Sequence, residues 1–92
     1  MGSYQNKLNF FIMIENITEN YTEEEFLIAD GFNEAIIGLD EKSMRLIYSV
    51  TKCLEILMQD NMTEEEAIEY FEFNISGSYV GEKTPIWCYD NF

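Results

Sequence analysis

The chain has 92 residues and a formal net charge of −13, from eighteen Asp and Glu residues against five Lys and Arg residues. Hydrophobic residues make up 47% of it and aromatic residues 15%. This composition excludes a disordered acidic tail and predicts one small folded domain over residues 1–92. The sequence contains no His, so the commonest general base and the commonest neutral metal ligand are both missing. The composition therefore disfavours an enzyme.

The acidic residues form two blocks that contain no base. Nine acids lie between Leu8 and Glu41, and eight more lie between Cys53 and Glu82. Duplex DNA carries roughly 18 charges over roughly 30 Å, which is about the diameter expected for a domain of this length. Because the protein approaches that charge density, we expect it to repel nucleic acids and to be attracted to basic protein surfaces.

The apolar run Phe10–Ile14 suits either a helix or a buried strand. The spacing of Leu8, Phe11 and Ile12 favours the helix. The run is too short to span a membrane, and no small-residue cleavage pattern follows it, so we expect neither a membrane span nor a secretion signal.

Two hexads, at residues 20–25 and 61–66, share a Thr followed three residues later by a Glu. This capping-box pattern predicts one helix from Thr22 to Ala29 and another that begins at Thr63 and ends near Gly77. The helix dipole favours acidic residues in the first turn of a helix. A helix start is therefore sufficient to explain the three consecutive glutamates in each hexad. The functional alternative is that each helix start also presents its carboxylates to a partner.

The remaining elements predict an α+β fold. An apolar stripe predicts a helix from Ser49, joined by residues 60–62 to the next helix as an antiparallel pair. Strand-like runs at 35–39 and 44–48 flank a turn at 40–43, and Ile86–Tyr89 predicts a third strand after a loop at 81–85. The predicted architecture is a three-stranded antiparallel sheet, made of a hairpin and the C-terminal strand, packed against three or four helices.

A distinctive pattern runs through the last two thirds of the chain. It consists of DGFNEAIIG at 30–38, KCLEILM at 52–58 and MTEEEAIEY at 62–70, and it continues through Phe73-Asn74, Gly77, Gly81-Glu82 and Thr84-Pro85. This pattern resembles that of small uncharacterised bacteriophage proteins, including those of cyanobacterial phages. The resemblance covers a core at 30–92 and leaves 1–29 as a variable N-terminal helical segment. It implies a phage origin and the cytoplasm of an infected bacterial host, and it implies no catalytic residue.

Several kinds of site are not expected. There is no Gly-rich phosphate loop, and adjacent helical glutamates point about 100° apart, so they cannot converge on one cation; we expect no metal and no cofactor. The aromatic residues near the C-terminus lack the basic groove that base stacking requires, so they are predicted to pack in the core or to form a dimer contact. They are Tyr79, Trp87, Tyr89 and Phe92. Cys53 and Cys88 are predicted to be small buried residues.

Two functional hypotheses remain. In the first, the protein inhibits a basic host protein, such as a nuclease, a polymerase or a CRISPR-type complex, by occupying its nucleic-acid groove as a DNA or RNA mimic. The residues predicted to bind this partner are Glu23, Glu24, Glu25, Asp30, Glu64, Glu65, Glu66 and Glu69. In the second, the chain is a self-associating structural or regulatory accessory protein whose acidity only keeps it soluble.

Overall fold

The computed structural model describes residues 12–78 and 80–92 and has an α+β fold, as predicted. The elements are, in chain order, helix α1 (residues 12–20), a 3-10 turn (Asn33–Ala35), strand β1 (Ile36–Asp40), strand β2 (Arg45–Ser49), helix α2 (Val50–Gln59), helix α3 (Glu64–Phe71), a π-helical segment (Glu72–Ser76) and strand β3 (Ile86–Cys88). Leu8 and Phe11, on which the N-terminal helix was partly predicted, lie outside the described residues.

Strands β1 and β2 form the predicted hairpin. Asp40 pairs with Arg45 at its turn, and the register shifts by a bulge between Ile36 and Gly38. The Asp40 carboxylate accepts a hydrogen bond from the Ser43 hydroxyl at 2.7 Å and one from the Lys42 N–H at 3.2 Å. The bond from Ser43 is the largest cause of a lowered pKa at Asp40. A local carboxylate thus fixes the turn, as is typical of Asp at a turn start.

The sheet is mixed, so the prediction of an all-antiparallel sheet is wrong. Strand β3 pairs with β2 in parallel, with Ile47 opposite Ile86 and Ser49 opposite Cys88, in the order β1-β2-β3. The connection from residue 50 to residue 85 contains α2, α3 and the π-helical segment. Such a long helical crossover returns the chain to the end of the sheet from which β2 started, and parallel pairing requires that return.

The predicted helix from Thr22 to Ala29 is absent. The Tyr21 N–H donates to the Ile17 carbonyl at 3.0 Å, which ends α1, and residues 24–29 have no regular structure. The Ala29 N–H donates to the Tyr48 hydroxyl at 2.7 Å instead of closing a helical turn. The four apolar residues at 26–29 are consecutive, so they would not lie on one face of a helix. A short helix needs an apolar face packed against the core, and an N-cap residue alone does not stabilise it.

Helices α2 and α3 begin where the sequence predicted. The Ser49 hydroxyl caps α2 by accepting the Lys52 N–H at 3.1 Å. Thr63 and Glu66 form a complete capping box at the start of α3, with hydrogen bonds of 3.2 and 2.9 Å. The helical path continues through the π-helical segment and ends at Gly77, the predicted stop.

One core unites these elements. Its buried residues come from α1, the 3-10 region, the hairpin, α2 and α3, and they are Ile17, Phe32, Ala35, Ile36, Leu46, Tyr48, Val50, Cys53, Leu54, Leu57, Ala67 and Phe71. Four aromatic rings link the sheet to α3 and to the C-terminal tail. The Trp87 ring lies 5.1 Å from that of Tyr48 and 5.3 Å from that of Phe71, and Tyr89 lies 6.4 Å beyond Phe71. These are the separations of favourable aromatic pairs.

The cysteines are free thiols in different surroundings. Cys53 is fully buried, as predicted, and desolvation by burial raises the pKa of its thiol to about 12. Cys88 is only half-buried, so its prediction as a buried residue is wrong. It belongs to β3, which lies at the edge of the sheet.

Replacing Tyr48 with phenylalanine is expected to lower the free energy of unfolding by about 1–3 kcal/mol, because the Ala29 N–H loses its acceptor while the ring stays in place. Urea denaturation measures this change. The control is Tyr70→Phe, since Tyr70 is exposed on α3 and its loss of a hydroxyl should change stability by less than about 0.5 kcal/mol. Equal effects for the two variants would contradict the role assigned to the Tyr48 hydroxyl.

Asp90 joins the C-terminal tail to the start of α2. Its carboxylate accepts the Ser49 hydroxyl at 2.6 Å and the Thr51 N–H at 2.9 Å. Desolvation would raise the pKa of Asp90, but the bonds from Ser49 and Thr51 outweigh it and leave the pKa below its usual value. An anion at a helix start also interacts favourably with the helix dipole.

Because the pKa of Asp90 is lower in the folded state, its contribution to stability is present above about pH 3.9 and is lost as the pH falls through the folded-state pKa. We expect Asp90→Asn to lower stability at neutral pH and to fall short of the parent by less at about pH 3, below the unfolded-state pKa. Urea unfolding at both pH values tests this. The control is Asp30→Asn, since Asp30 is exposed; a gap for Asp90→Asn that stays constant with pH would refute the assignment.

Candidate acidic binding surface

The first group of predicted binding residues, Glu23, Glu24 and Glu25, follows α1 and is exposed. We call it the N-terminal acidic cluster. It lines a surface depression of about 450 Å³ together with Glu82 and Lys83. The Lys83 Nζ lies 3.5 Å from Glu24 Oε2. The fold therefore places a base beside this cluster, although the sequence around it contains none.

The second group, Glu64, Glu65, Glu66 and Glu69, lies on α3 and is also exposed. We call it the α3 acidic cluster. Glu66 is occupied by the capping box. Among the described residues, the side chains of Glu64, Glu65 and Glu69 have no hydrogen bond or ion pair.

Two exposed aromatic residues accompany the α3 acidic cluster. Tyr70 and Phe73 line a depression of about 460 Å³ with Glu66 and Glu69. Phe73 belongs to the π-helical segment and is 80% exposed, whereas Phe71 is 1% exposed. Sequence reasoning did not identify these two residues as part of a site. π-helical turns occur frequently at functional sites.

A third depression is an apolar groove of about 320 Å³. We call it the central groove. Its lining includes Leu27, Ile28, Asp30, Phe32, Asn74, Ile75, Val80, Pro85 and Trp87. The sequence analysis predicted Asp30 only as a charged contact to a partner. In the structure it also lines this apolar groove. The sequence signal that could have indicated this groove is the apolar run at 26–29 directly after three glutamates, which was assigned to the predicted helix from Thr22 to Ala29.

Shared residues connect the three depressions. Leu27 and Val80 line both the central groove and the depression of the N-terminal acidic cluster. Asn74 lines both the central groove and the depression of the α3 acidic cluster. The structure therefore places each of the two predicted clusters next to the same apolar groove.

Three of the basic residues gather at the hairpin turn. Lys42 lies within the turn, Arg45 follows it, and the Lys83 ammonium lies 3.5 Å from the Met44 carbonyl. The Arg45 Nε donates to the Thr84 carbonyl at 2.8 Å. Lys52 lies in α2, and Lys7 lies outside the described residues. Within the described part of the chain, the α3 acidic cluster thus forms no ion pair with a base, whereas the N-terminal acidic cluster is partly neutralised by Lys83.

The carboxylates are spread over the surface rather than gathered around a point. Residues 12–78 and 80–92 contain no group of three or more His, Cys, Asp or Glu side chains placed to hold a metal ion. Within the same ranges, no helix has the length and apolar character needed to cross a membrane. What the arrangement offers chemically is an apolar groove with two clusters of exposed carboxylates next to it.

Comparison of this chain with protein-family models, with curated proteins and with solved structures finds no match.

Proposed function

We propose that this chain is a non-catalytic acidic protein that binds the basic surface of a nucleic-acid-handling protein and inhibits it by competing with nucleic acid. The observation that supports this proposal is the α3 acidic cluster. Glu64, Glu65 and Glu69 are exposed and have no partner among the described residues, while three of the five bases gather at the hairpin turn.

The helix dipole explains only part of the α3 acidic cluster. The dipole favours Glu64, Glu65 and Glu66 in the first turn of α3. Glu69 lies beyond that turn, where the dipole effect has fallen off, and it extends the negative surface towards Tyr70 and Phe73. Aromatic residues are enriched in protein interfaces, and the negative charge beside them is complementary to a basic partner.

Electrostatic attraction would act mainly on the rate of association. Complementary potentials raise association rates well above those of neutral surfaces, and the gain falls steeply as salt is added. A competitor of nucleic acid must reach the basic groove before the nucleic acid does, so a fast, salt-sensitive association suits this role. The resemblance to phage proteins adds a setting to the proposal, the cytoplasm of an infected bacterium, with a host nuclease, polymerase or CRISPR-type complex as the partner.

The experiment starts from the DNA-binding proteins of a bacterial lysate, collected on DNA-cellulose and passed over the immobilised protein. A retained protein should elute with rising salt, and its binding to labelled duplex DNA should weaken when this chain is added. If the chain retains a protein whose DNA affinity it does not change, competition with nucleic acid is refuted. If it retains nothing at low salt, the proposed binding function fails as a whole.

The second candidate function is self-association, and the end of the chain favours it. Strand β3 has β2 as its neighbour on one side and forms an edge of the sheet, and Tyr89 and Phe92 beyond it are exposed. Edge strands with nearby apolar residues are prone to pair with another chain. Sedimentation at low and high salt separates the two candidates, since an apolar dimer persists or tightens at high salt while binding to a basic partner weakens.

A further inference from the structure

We infer that the central groove binds an apolar stretch of polypeptide that is flanked by Lys or Arg residues on both sides. This inference rests on the proposed function, because it names the part of a basic partner that the acidic surface would recognise. It adds that the partner's recognised segment must have an apolar centre, which charge attraction alone does not require.

The groove has the character of a binding surface for apolar side chains. Ile28 and Val80 on its walls are 53% and 59% exposed. Trp87 and Pro85 also line it, and Pro85 is buried. Its volume of about 320 Å³ is at the lower end of the range for ligand sites, roughly 300–1,000 Å³. That volume fits a few large apolar side chains rather than a folded domain.

The charges around the groove select the flanks of the occupant. The N-terminal acidic cluster adjoins the groove through Leu27 and Val80, and the α3 acidic cluster adjoins it through Asn74. Asp30 lies on the groove itself. A segment with acidic flanks would be repelled and one with neutral flanks would not be attracted, whereas basic flanks complement the α3 acidic cluster and those acids of the N-terminal acidic cluster that Lys83 leaves unpaired.

The dimensions set the length of the segment. The longest principal extent of the structure is 39 Å. An extended chain of about 12 residues spans at most roughly 40 Å. A peptide of that length can therefore cover the groove and reach both clusters.

The chain carries its own reporter for this site. Trp87 is the single Trp in the sequence and lines the groove. Its fluorescence should change when an apolar side chain enters the groove, provided that the peptide contains no Trp. Binding can therefore be followed without a label on either molecule.

The test uses two synthetic peptides of about 12 residues with the same lysine runs at both ends. One has a centre of leucine, isoleucine and phenylalanine, and the other has a centre of serine. We expect the apolar-centred peptide to bind at least about tenfold more tightly. Ile28→Ser should remove most of that preference. Ile37→Ser is the matched control, since Ile37 lies on β1 away from the groove lining and is 41% exposed.

Each outcome decides the question. Equal binding of the two peptides would overturn the groove inference while leaving the acidic binding function intact. An apolar preference that Ile28→Ser leaves unchanged, in a variant with the parent's circular dichroism spectrum, would also overturn it. A dimer that Ile28→Ser dissociates in sedimentation would show that a second copy fills the groove instead. If neither peptide binds at low salt, the proposed function itself fails.

Discussion

Replacing Phe71 with alanine is expected to lower the free energy of unfolding by about 3–5 kcal/mol. Phe71 is 1% exposed and its ring contacts those of Trp87 and Tyr89. The substitution would therefore leave a cavity where α3, β3 and the C-terminal tail meet. Small domains have total stabilities of only about 5–15 kcal/mol, so much of the stability would be lost. Urea denaturation followed by circular dichroism measures the change.

The matched control lies two residues along the same helical path. Phe73 is 80% exposed in the π-helical segment, so Phe73→Ala should change stability by less than about 0.5 kcal/mol. The pair tests the register that the π-helical segment imposes on the end of this helix. Similar losses of stability for the two variants would show that the assigned register of this segment is incorrect.

Neutralising Glu64, Glu65 and Glu69 together with glutamine is expected to weaken binding to a basic partner by about tenfold at low salt. Each exposed ion pair contributes about 0.2–1 kcal/mol, so three together give an effect of that size. The difference from the parent should shrink at about 0.5 M salt, where exposed charges are screened beyond roughly 4 Å. Stopped-flow binding of the apolar-centred, lysine-flanked peptide, followed by Trp87 fluorescence, measures the difference in affinity between the variant and the parent.

Glu66 is left unchanged in this variant because its carboxylate accepts the Thr63 N–H in the capping box. Reversing the charge at Glu64, Glu65 and Glu66 together would confuse a binding defect with the loss of that cap, which costs about 1 kcal/mol. The matched control neutralises three exposed acids outside both clusters, and they are Glu15, Glu19 and Glu55. If the control weakens binding as strongly, the total charge and not the α3 acidic cluster determines the affinity.

The elements that the sequence predicted correctly are those with two local signals in agreement. At α3, the capping box at Thr63 is followed by apolar residues with a helical period, and Ala67 and Phe71 are buried. At the hairpin, the Asp40 turn separates two strand-like runs. When local signals agree with each other and with the packing of the core, the sequence specifies the element strongly.

The predictions failed where distant residues decide the outcome. The cap at Thr22 had no apolar stripe behind it, and the hydroxyl of Tyr48, far along the chain, takes the Ala29 N–H. The direction of β3 depends on the path of two helices and not on the residues of the strand. An alternation of apolar residues is the same in a parallel and an antiparallel strand, so it carries no information on direction.

The candidate site also has a part that the sequence predicted and a part that it did not. Exposure of all eight predicted acids followed from their charge, and the structure places each of them at the surface. The central groove depends on residues from 27 to 87 that meet only in the folded chain. No local pattern could show that the two acidic clusters adjoin it. The proposed partner could therefore be predicted as basic from the sequence, but its apolar centre could not.

The parallel pairing of β2 with β3 also determines the order in which the domain can fold. The hairpin and the α2–α3 pair form from neighbouring residues, whereas Ile47 must find Ile86 across a long closed loop. Closing that loop costs conformational entropy before any contact compensates for it, so β3 should dock after the rest of the core has formed. Because Trp87 lies in β3, its fluorescence during refolding would follow this last step, while circular dichroism would follow the earlier helices.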